Sequence, residues 1–450
     1  NRAALDELAK QAATLVITVD CGISNVEEVT HGQGLGLDLI VTDHHNAPNT
    51  LPNTILINPK LGTDGDAFTN LTGVGVAHQV VRALVERLGR PPSLRNNDLL
   101  ELVAIGTVAD IAELKGANRT LVALGVQCLR KTRRPGLLAL LAAASLKPEL
   151  ISTHTIGFII APRINAAGRL DDAKMAYQLL LTEDPAEAAD LAAKLEAENA
   201  RRQELTRAIQ DEARKRVADL DQDTPVIILR DKSWDMGVVG LAAGRLCEEF
   251  GRPAIVFADD GEMCRGSARS TTHFNIHDVL EQVEDLLTHF GGHTAAAGMS
   301  MPSANFDEFC QRVTELVESE LSDESQLAGV LQADYELPLS RVNVETMAEL
   351  AALEPYGPGN SRPMFVARNL RVLDHKTNGK DGRTLTMNLA PGDDPGARPV
   401  RAVAFGQAPE WAPKLADKPK IDIMFRLEAD EWQGQQRVQL RVEGLRLSKA

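Results

Sequence analysis

The sequence predicts an α/β protein: two layered α/β units joined by a long helix, then a small β-barrel or sandwich. Three patterns predict it. Continuous apolar, β-branched runs alternate with helical patterns near residues 14–57 and again near 226–257. Residues 186–220 contain no Pro or Gly and are rich in Ala, Leu, Glu, Arg and Lys. From about residue 331 onward, short alternating segments are separated by Pro- and Gly-rich turns.

Thr14 to Val19 reads as a buried parallel strand ending in Asp20-Cys21-Gly22. Ser24 and Glu27 have capping-box spacing, which starts a helix near Asn25. Leu37 to Thr42 is the next buried strand, ending in Asp43-His44-His45, and Ile55-Leu56-Ile57 is a third. Asp98 caps a helix running to Asp110. The 186–220 stretch carries the i,i+4 pairs Glu198–Arg202, Asp211–Lys215 and Glu212–Arg216. Its sparse apolar positions favour one polar helix bridging two domains over two helices with a break. Strand Val226–Leu229, helix Gly237–Phe250 and strand Ala254–Phe257 form the second unit, with Gly251 and Pro253 as stop signals.

At 450 residues the chain is expected to hold about two to four domains. Its 44% hydrophobic and 25% charged residues exclude general disorder. The longest apolar stretch, Leu137 to Leu146, is too short to span a bilayer. Five scattered cysteines argue against a disulfide framework and for a reducing cytoplasm. The chain opens on Asn1 with a strand close behind, which suggests that its first elements lie upstream. A net charge of −15 argues against a nucleic-acid partner.

In an open parallel sheet, ligands bind at the carboxyl ends of adjacent strands. Asp20 and Asp43-His44-His45 therefore converge on one crevice. Carboxylate oxygen with imidazole nitrogen suits Mn²⁺, Mg²⁺, iron or Zn²⁺. Asp110 is a further candidate ligand. A lone Asp after a strand is ordinarily a cap or turn residue, whereas three ionisable groups ending an apolar strand need a partner. A pair of metals needs more ligands than these, and the rest are expected upstream of Asn1. His78 reads as packing and Cys21 as a small buried filler.

Arg163, Asn165 and Arg169 could grip phosphate, as could Arg265 and Arg269. Gly291-Gly292-His293 could let a ligand backbone approach, although helix–sheet packing explains those glycines equally well.

Asp43-His44-His45, with Asp20-Cys21-Gly22 upstream and Asp110 downstream, resembles the DHH phosphoesterase superfamily. Gly291-Gly292-His293 followed by Ala296-Ala297-Gly298 resembles the glycine-rich motif of the DHH-associated domain. The order of parts is similar to the family of bacterial single-strand-specific exonucleases, as are 161–170, Gly237-Val238-Val239-Gly240 and Glu354-Pro355-Tyr356-Gly357-Pro358-Gly359-Asn360.

The resemblance implies a DHH-type parallel-sheet catalytic domain at 1–185 and a connecting helix at 186–220. It implies a DHH-associated α/β domain at 221–328 and a C-terminal OB-fold β-barrel at 329–450. It implies hydrolysis of single-stranded DNA from the 5′ end to mononucleotides, in recombination and repair, with two Mn²⁺ (or Mg²⁺) ions. Asp20 would bridge the metals, His44 and Asp110 would be ligands, Asp43 would orient, and His45 would touch the scissile phosphate. Arg163, Asn165 and Arg169 would hold the backbone near the site; Arg265, Arg269, Gly291, Gly292 and His293 would grip the strand. The implied partners are single-stranded DNA, a RecQ-type helicase and a single-strand-binding protein, around a cytoplasmic monomer. The family's Asp-x-Asp motif falls before Asn1. An oligonucleotide or nucleotide phosphatase and a catalytically inactive replication scaffold are the alternatives.

The resemblance also recasts the charge. Residues 171–190 hold Lys174 against six acids, and residues 301–330 hold Arg312 against seven. The chain from 331 to 450 is near neutral, with 17 basic and 16 acidic residues. Arg130-Lys131, Arg133-Arg134, Arg201-Arg202 and Arg214-Lys215-Arg216 could form a local positive track, or simply solvated helix faces. Phe365, Phe405, Phe425 and Trp432 are barrel aromatics that could stack on bases or fill the core.

Overall fold

A computed structural model describes every residue except 63–66, 90–98, 171–172, 219–223, 272–273, 321–330, 380–381, 395, 433–434 and 449–450. Of 167–170, 218, 431–432 and 435–436 it describes the backbone only. Asp98 and the side chains of Arg169 and Trp432 thus lie outside the described residues. The chain divides into two compact units, 1–131 with 151–157 and 330–450, and 132–150 with 158–329.

The first unit opens with three parallel strands in the order β1 (Leu15–Val19), β2 (Asp38–Thr42), β3 (Ile55–Ile57). The helices Arg2–Lys10 and Val26–Gly34 cover one face, burying Leu5 and Val29 against Leu37, Leu39 and Val41. Asn25 occupies the N-cap of the second helix, so the Ser24–Glu27 capping box is not used. β1 was expected to be buried on both faces. Its Leu15, Ile17 and Val19, with Ile55 and Ile57 of β3, instead form an exposed apolar face, because no described element covers that side.

The C-terminal strands close into a barrel. β10 (Phe365–Asn378) pairs with β11 (Thr384–Pro391), β11 with β12 (Val400–Ala404), and β12 in parallel with β14 (Gln435–Leu447). β14 pairs with β13 (Lys420–Trp432), and β13 returns to β10. A short β9 (Tyr335–Glu336) adds to β10. Alternate residues point inward, so Leu385, Met387, Leu389, Phe425 and Leu440 are fully buried, and Trp411 and Leu415 pack beside them. Phe365 and Phe425 are core residues, while Phe405 is 55% exposed with the Arg441 guanidinium 5.5 Å from its ring.

The second unit contains a single 34-residue helix, Pro185–Ala218, with no break. It was expected to bridge two domains, but it lies within this one unit. Leu191, Leu195 and Ile209 are buried along it, and it packs against helices Pro135–Ala143, Ala161–Leu170 and Met236–Phe250. The five-stranded sheet has the order β4 (Ile227–Asp231), β5 (Ala254–Asp259), β6 (Met263–Arg269), β8 (Ala296–Pro302), β7 (His289–His293). Only β4 and β5 run parallel; the stretches read as phosphate loops are antiparallel strands. One face buries Ile255 and Phe257 against Phe309 and Val313, and the other buries Leu229 and Val256 against Val239 and Leu246. Gly266 stands opposite Phe257, and a Cβ there would lie 2.3 Å from the ring.

Among the described residues, no helix is long and apolar enough to cross a membrane.

Candidate metal centre

Parallel pairing of β1 with β2 places Asp20 and Asp43-His44-His45 side by side at the strands' carboxyl ends. Asp20 turns the chain in the left-handed region (φ +65°), a conformation Asp tolerates better than most residues. Its amide donates to Thr42 O, 3.0 Å away, fixing it to the neighbouring strand end. The turn leaves Cys21 exposed, not buried as its size suggested.

Asp43 organises the crevice from beneath. Its carboxylate is 1% exposed and accepts from the amides of Ile23 (2.9 Å), His44 (2.7 Å) and His45 (3.2 Å). His45 Nδ1 lies 2.7 Å from the same carboxylate. Burial pushes the Asp43 carboxyl up, but the Ile23 amide, the His45 ring and the His45 and His44 amides together hold it below its ordinary value.

His44 Nε2 stands 2.9 Å from Asp20 Oδ1 and 3.7 Å from Asp110 Oδ2. Asp20, His44 and His45 each place one donor atom within 4.8 Å of the others. Asp110 caps the C-terminus of helix Leu100–Ala109. Burial raises its carboxyl; His44 opposes that shift and the charge of Asp20 adds to it. A cation would relieve the repulsion between these carboxylates. Two carboxylates flanking an imidazole suit Mn²⁺ well and Mg²⁺ less readily. The donor set of Asp20, His44 and His45, with Asp110 close by, therefore fits a divalent ion.

Gly73, which sequence reasoning passed over, makes this site possible. It begins helix Gly73–Leu88, capped by Thr72, and a Cβ there would sit 2.4 Å from Asp20 Oδ1. The Thr72-Gly73-Val74-Gly75 stretch was the available signal. His78 is half-buried and burial, then Arg82, lowers its imidazole; it is not in the cluster.

In the second unit, strand register aligns several phosphate candidates. Arg269, Ala296 and His293 form one row across β6, β8 and β7; Ser267, Gly298 and Gly291 form the next; Arg265, Ser300 and His289 form a third. Alternation puts all nine on one face. Nothing lies within 4 Å of a Cβ at Gly291 or Gly298, so the face is open there, while helix Met236–Phe250 lies over Ser267 and Arg269, a Cβ at Gly240 falling 3.0 Å from Ser267 Oγ and 3.3 Å from Arg269 Nη2. Arg269 donates to Ser267 Oγ at 2.8 Å, and exposed Arg265 lies 3.5 Å from Asp260. His289 and Ser300 were missed; the period-two spacing of His289, Gly291 and His293 could have found the first.

Other basic candidates are engaged elsewhere. Arg163, whose side chain is 13% exposed, pairs with Glu196 and donates to Ile159 O. Asn165 is exposed. Arg214 pairs with Glu249 and Asp211, Arg216 with Asp231 and Glu212, and Arg130 donates twice to Ile151 O. The expected positive track is neutralised at Arg214 and Arg216, and Arg130 is turned onto a backbone carbonyl.

The chain is similar to known proteins over its whole length. Residues 1–107 match the DHH family N-terminal domain, 223–319 the DHHA1 domain and 333–444 the RecJ OB domain. The single-stranded-DNA-specific exonuclease RecJ of Salmonella typhimurium is 34% identical over 98% of the chain and 78% of its own length. The Bacillus subtilis RecJ is 33% identical over 100% of the chain, which spans 56% of that relative. The crystal structure of Thermus thermophilus RecJ in complex with Mn²⁺ superposes with a TM-score of 0.84 at 34% identity, covering 100% of this chain and 64% of that one. These matches run through every part of the chain, and the chain belongs to the RecJ family.

Proposed function

We propose that the protein hydrolyses single-stranded DNA from its 5′ end to mononucleotides, using a divalent metal held by Asp20, His44 and Asp110. The convergence of these three groups at the ends of β1 and β2, in a RecJ-family chain, carries the reading. A bound Mn²⁺ or Mg²⁺ supplies Lewis acidity and a nucleophilic water at neutral pH. Two ions fit the family chemistry, the second needing ligands beyond these three.

The chain's own groups do the rest. Asp43 fixes the His45 ring, so that His45 Nε2, on a 61% exposed side chain, is free to meet a phosphate oxygen. The strand face bearing Arg265, His289 and His293, with Arg269 at the edge of the covering helix, grips the backbone. The barrel holds DNA away from the cut, as OB-folds do, with Phe405 its exposed aromatic. A helicase and a single-strand-binding protein are the partners such an enzyme would need to receive single strands.

Degradation of oligonucleotides labelled at either end, with Mn²⁺ present, tests this. Early release of the 5′ mononucleotide from single strands, with duplexes spared, is expected. Activity confined to dinucleotides would establish the phosphatase alternative, and DNA binding without hydrolysis the scaffold.

A further inference from the structure

The segment Leu353 to Asn360, which leads into the barrel, has no part in the chemistry above, yet it is built with unusual care. Gly357 and Asn360 exchange backbone hydrogen bonds at 3.0 and 3.1 Å. The Asn360 side-chain amide donates to Leu353 O (2.9 Å) and Pro355 O (2.8 Å), tying the segment into a closed loop. Tyr356 donates its hydroxyl to Leu350 O, and Arg362 lies over its ring.

That loop grips another. The Leu114 amide donates to Pro358 O at 2.7 Å, and Leu114 is 2% exposed. A Cβ at Gly357 would lie 2.7 Å from Leu114 Cδ1. Gly359, in the left-handed region at φ +73°, leaves room for Lys115 and Glu113; a Cβ there would come within 3.0 Å of Lys115 Cε. Arg119 donates to Leu353 O (2.8 Å) and Thr153 to Tyr356 O (2.6 Å). On its other flank the 110–118 stretch is held by Asn118, which donates to Asn70 O (2.6 Å), and by the Ala117 amide on Ala67 O (2.8 Å).

The gripped stretch carries Asp110. Between Asp110 and Leu114 the chain turns through Ile111, which has φ +56° and is 75% exposed, so packing of its own side chain does little to hold this turn. The Asp110 amide is held on the helix end by Gly106 O (3.0 Å) and the Ile111 amide by Val108 O (3.1 Å), and what holds Leu114 fixes the other side of the turn that sets the Asp110 carboxylate beside His44. A metal ligand needs such outer support to keep its geometry.

We propose that residues 353–360 are a positioning element for the metal centre: the barrel's leading segment, locked by Asn360, holds the Asp110 loop in place. The proposal rests on Asp110 being a metal ligand. It makes the barrel junction part of the site's support, in addition to any contact the barrel makes with DNA.

The test is Mn²⁺ binding to the full-length protein, followed by electron paramagnetic resonance of the free ion. Asn360→Ala, Arg119→Ala and Thr153→Val are compared with wild type, with His44→Ala as reference and Phe405→Ala as barrel control. Thermal unfolding and the Mn²⁺ dependence of kcat and KM on single strands are measured alongside. Asn360→Ala is expected to weaken Mn²⁺ binding roughly tenfold, in the range for loss of outer-sphere support. Its kcat at limiting Mn²⁺ should fall and recover at high Mn²⁺, while KM for DNA changes little. Arg119→Ala and Thr153→Val should shift Mn²⁺ binding in the same direction by less, which decides the matter if Asn360→Ala does not fold. Unchanged Mn²⁺ affinity in all three variants, with only Tm or the KM for DNA altered, would overturn the proposal. His44→Ala separates the two claims: if it too binds Mn²⁺ normally, the metal assignment itself has failed.

Discussion

Gly73 stands where any side chain would strike the carboxylate of Asp20: a Cβ at that position lies 2.4 Å from Asp20 Oδ1. Asp20 in turn is 2.9 Å from His44 Nε2. Helix Gly73–Leu88 thus begins against the site with no side chain in the way.

Gly73→Ala is therefore expected to harm metal binding without harming the helix. Alanine in place of glycine favours a helix by up to about 1 kcal/mol, so a loss cannot come from helix propensity. Mn²⁺ affinity should drop roughly tenfold or more, with Tm near wild type. Wild-type Mn²⁺ affinity in this variant would show that Asp20 does not need the space.

Asp43 gives a pH signature. Its carboxyl is held below its ordinary value of 3.8 in the folded protein, the amides and the His45 ring outweighing burial. The stability it contributes is present above the unfolded value and is lost as pH falls through the folded one. Asp43→Asn should cost about 1–3 kcal/mol at pH 7, since buried donors lose their acceptor. Urea unfolding should show the gap between wild type and variant narrowing toward pH 3. A gap of equal size at both pH values would refute the assignment.

Thiol reactivity checks the placement of the cysteines. Cys21 is exposed beside Asp20, Cys247 and Cys264 are buried, and burial pushes the Cys310 thiol up to about 12. With an aromatic disulfide reagent at pH 8, Cys21 should react first, half-buried Cys128 more slowly, and Cys247, Cys264 and Cys310 only on unfolding. A fast phase that survives Cys21→Ser would show that Cys21 is not the exposed thiol.

Arg269 offers a test of the phosphate face. Arg269→Ala should weaken single-strand binding for all sequences and reduce the salt dependence of log K by about 0.7 per lost phosphate contact. An unchanged salt slope would place DNA elsewhere.

Much of this was legible in the sequence because it depends on strand ends. An apolar run followed by Asp or Asp-His-His puts chemistry at the carboxyl edge of a parallel sheet whatever the rest of the fold does, and Asp20 and His44 meet there. Alternation pointed to a small barrel or sandwich, with inward residues such as Leu385, Met387 and Leu389, and the resemblance chose the barrel. What escaped were features set by distant partners. Pairing of Arg163 with Glu196 is 33 residues removed, and neutralisation of Arg214 by Glu249 is 35. Gly73 is needed for a contact 53 positions away, which no local pattern encodes. The polar 185–218 helix read as a bridge between two domains because its buried stripe is narrow, although Leu195 is wholly covered and the helix lies within one unit.

The central claim is that Asp20, His44 and Asp110 hold the catalytic metal. Titration of the full-length protein with Mn²⁺, monitored by the electron paramagnetic resonance of the free ion, tests it most directly with His44→Ala against wild type. Wild type is expected to deplete free Mn²⁺, and His44→Ala, folded by circular dichroism, to do so far less. Equal depletion of Mn²⁺ by both proteins would contradict it.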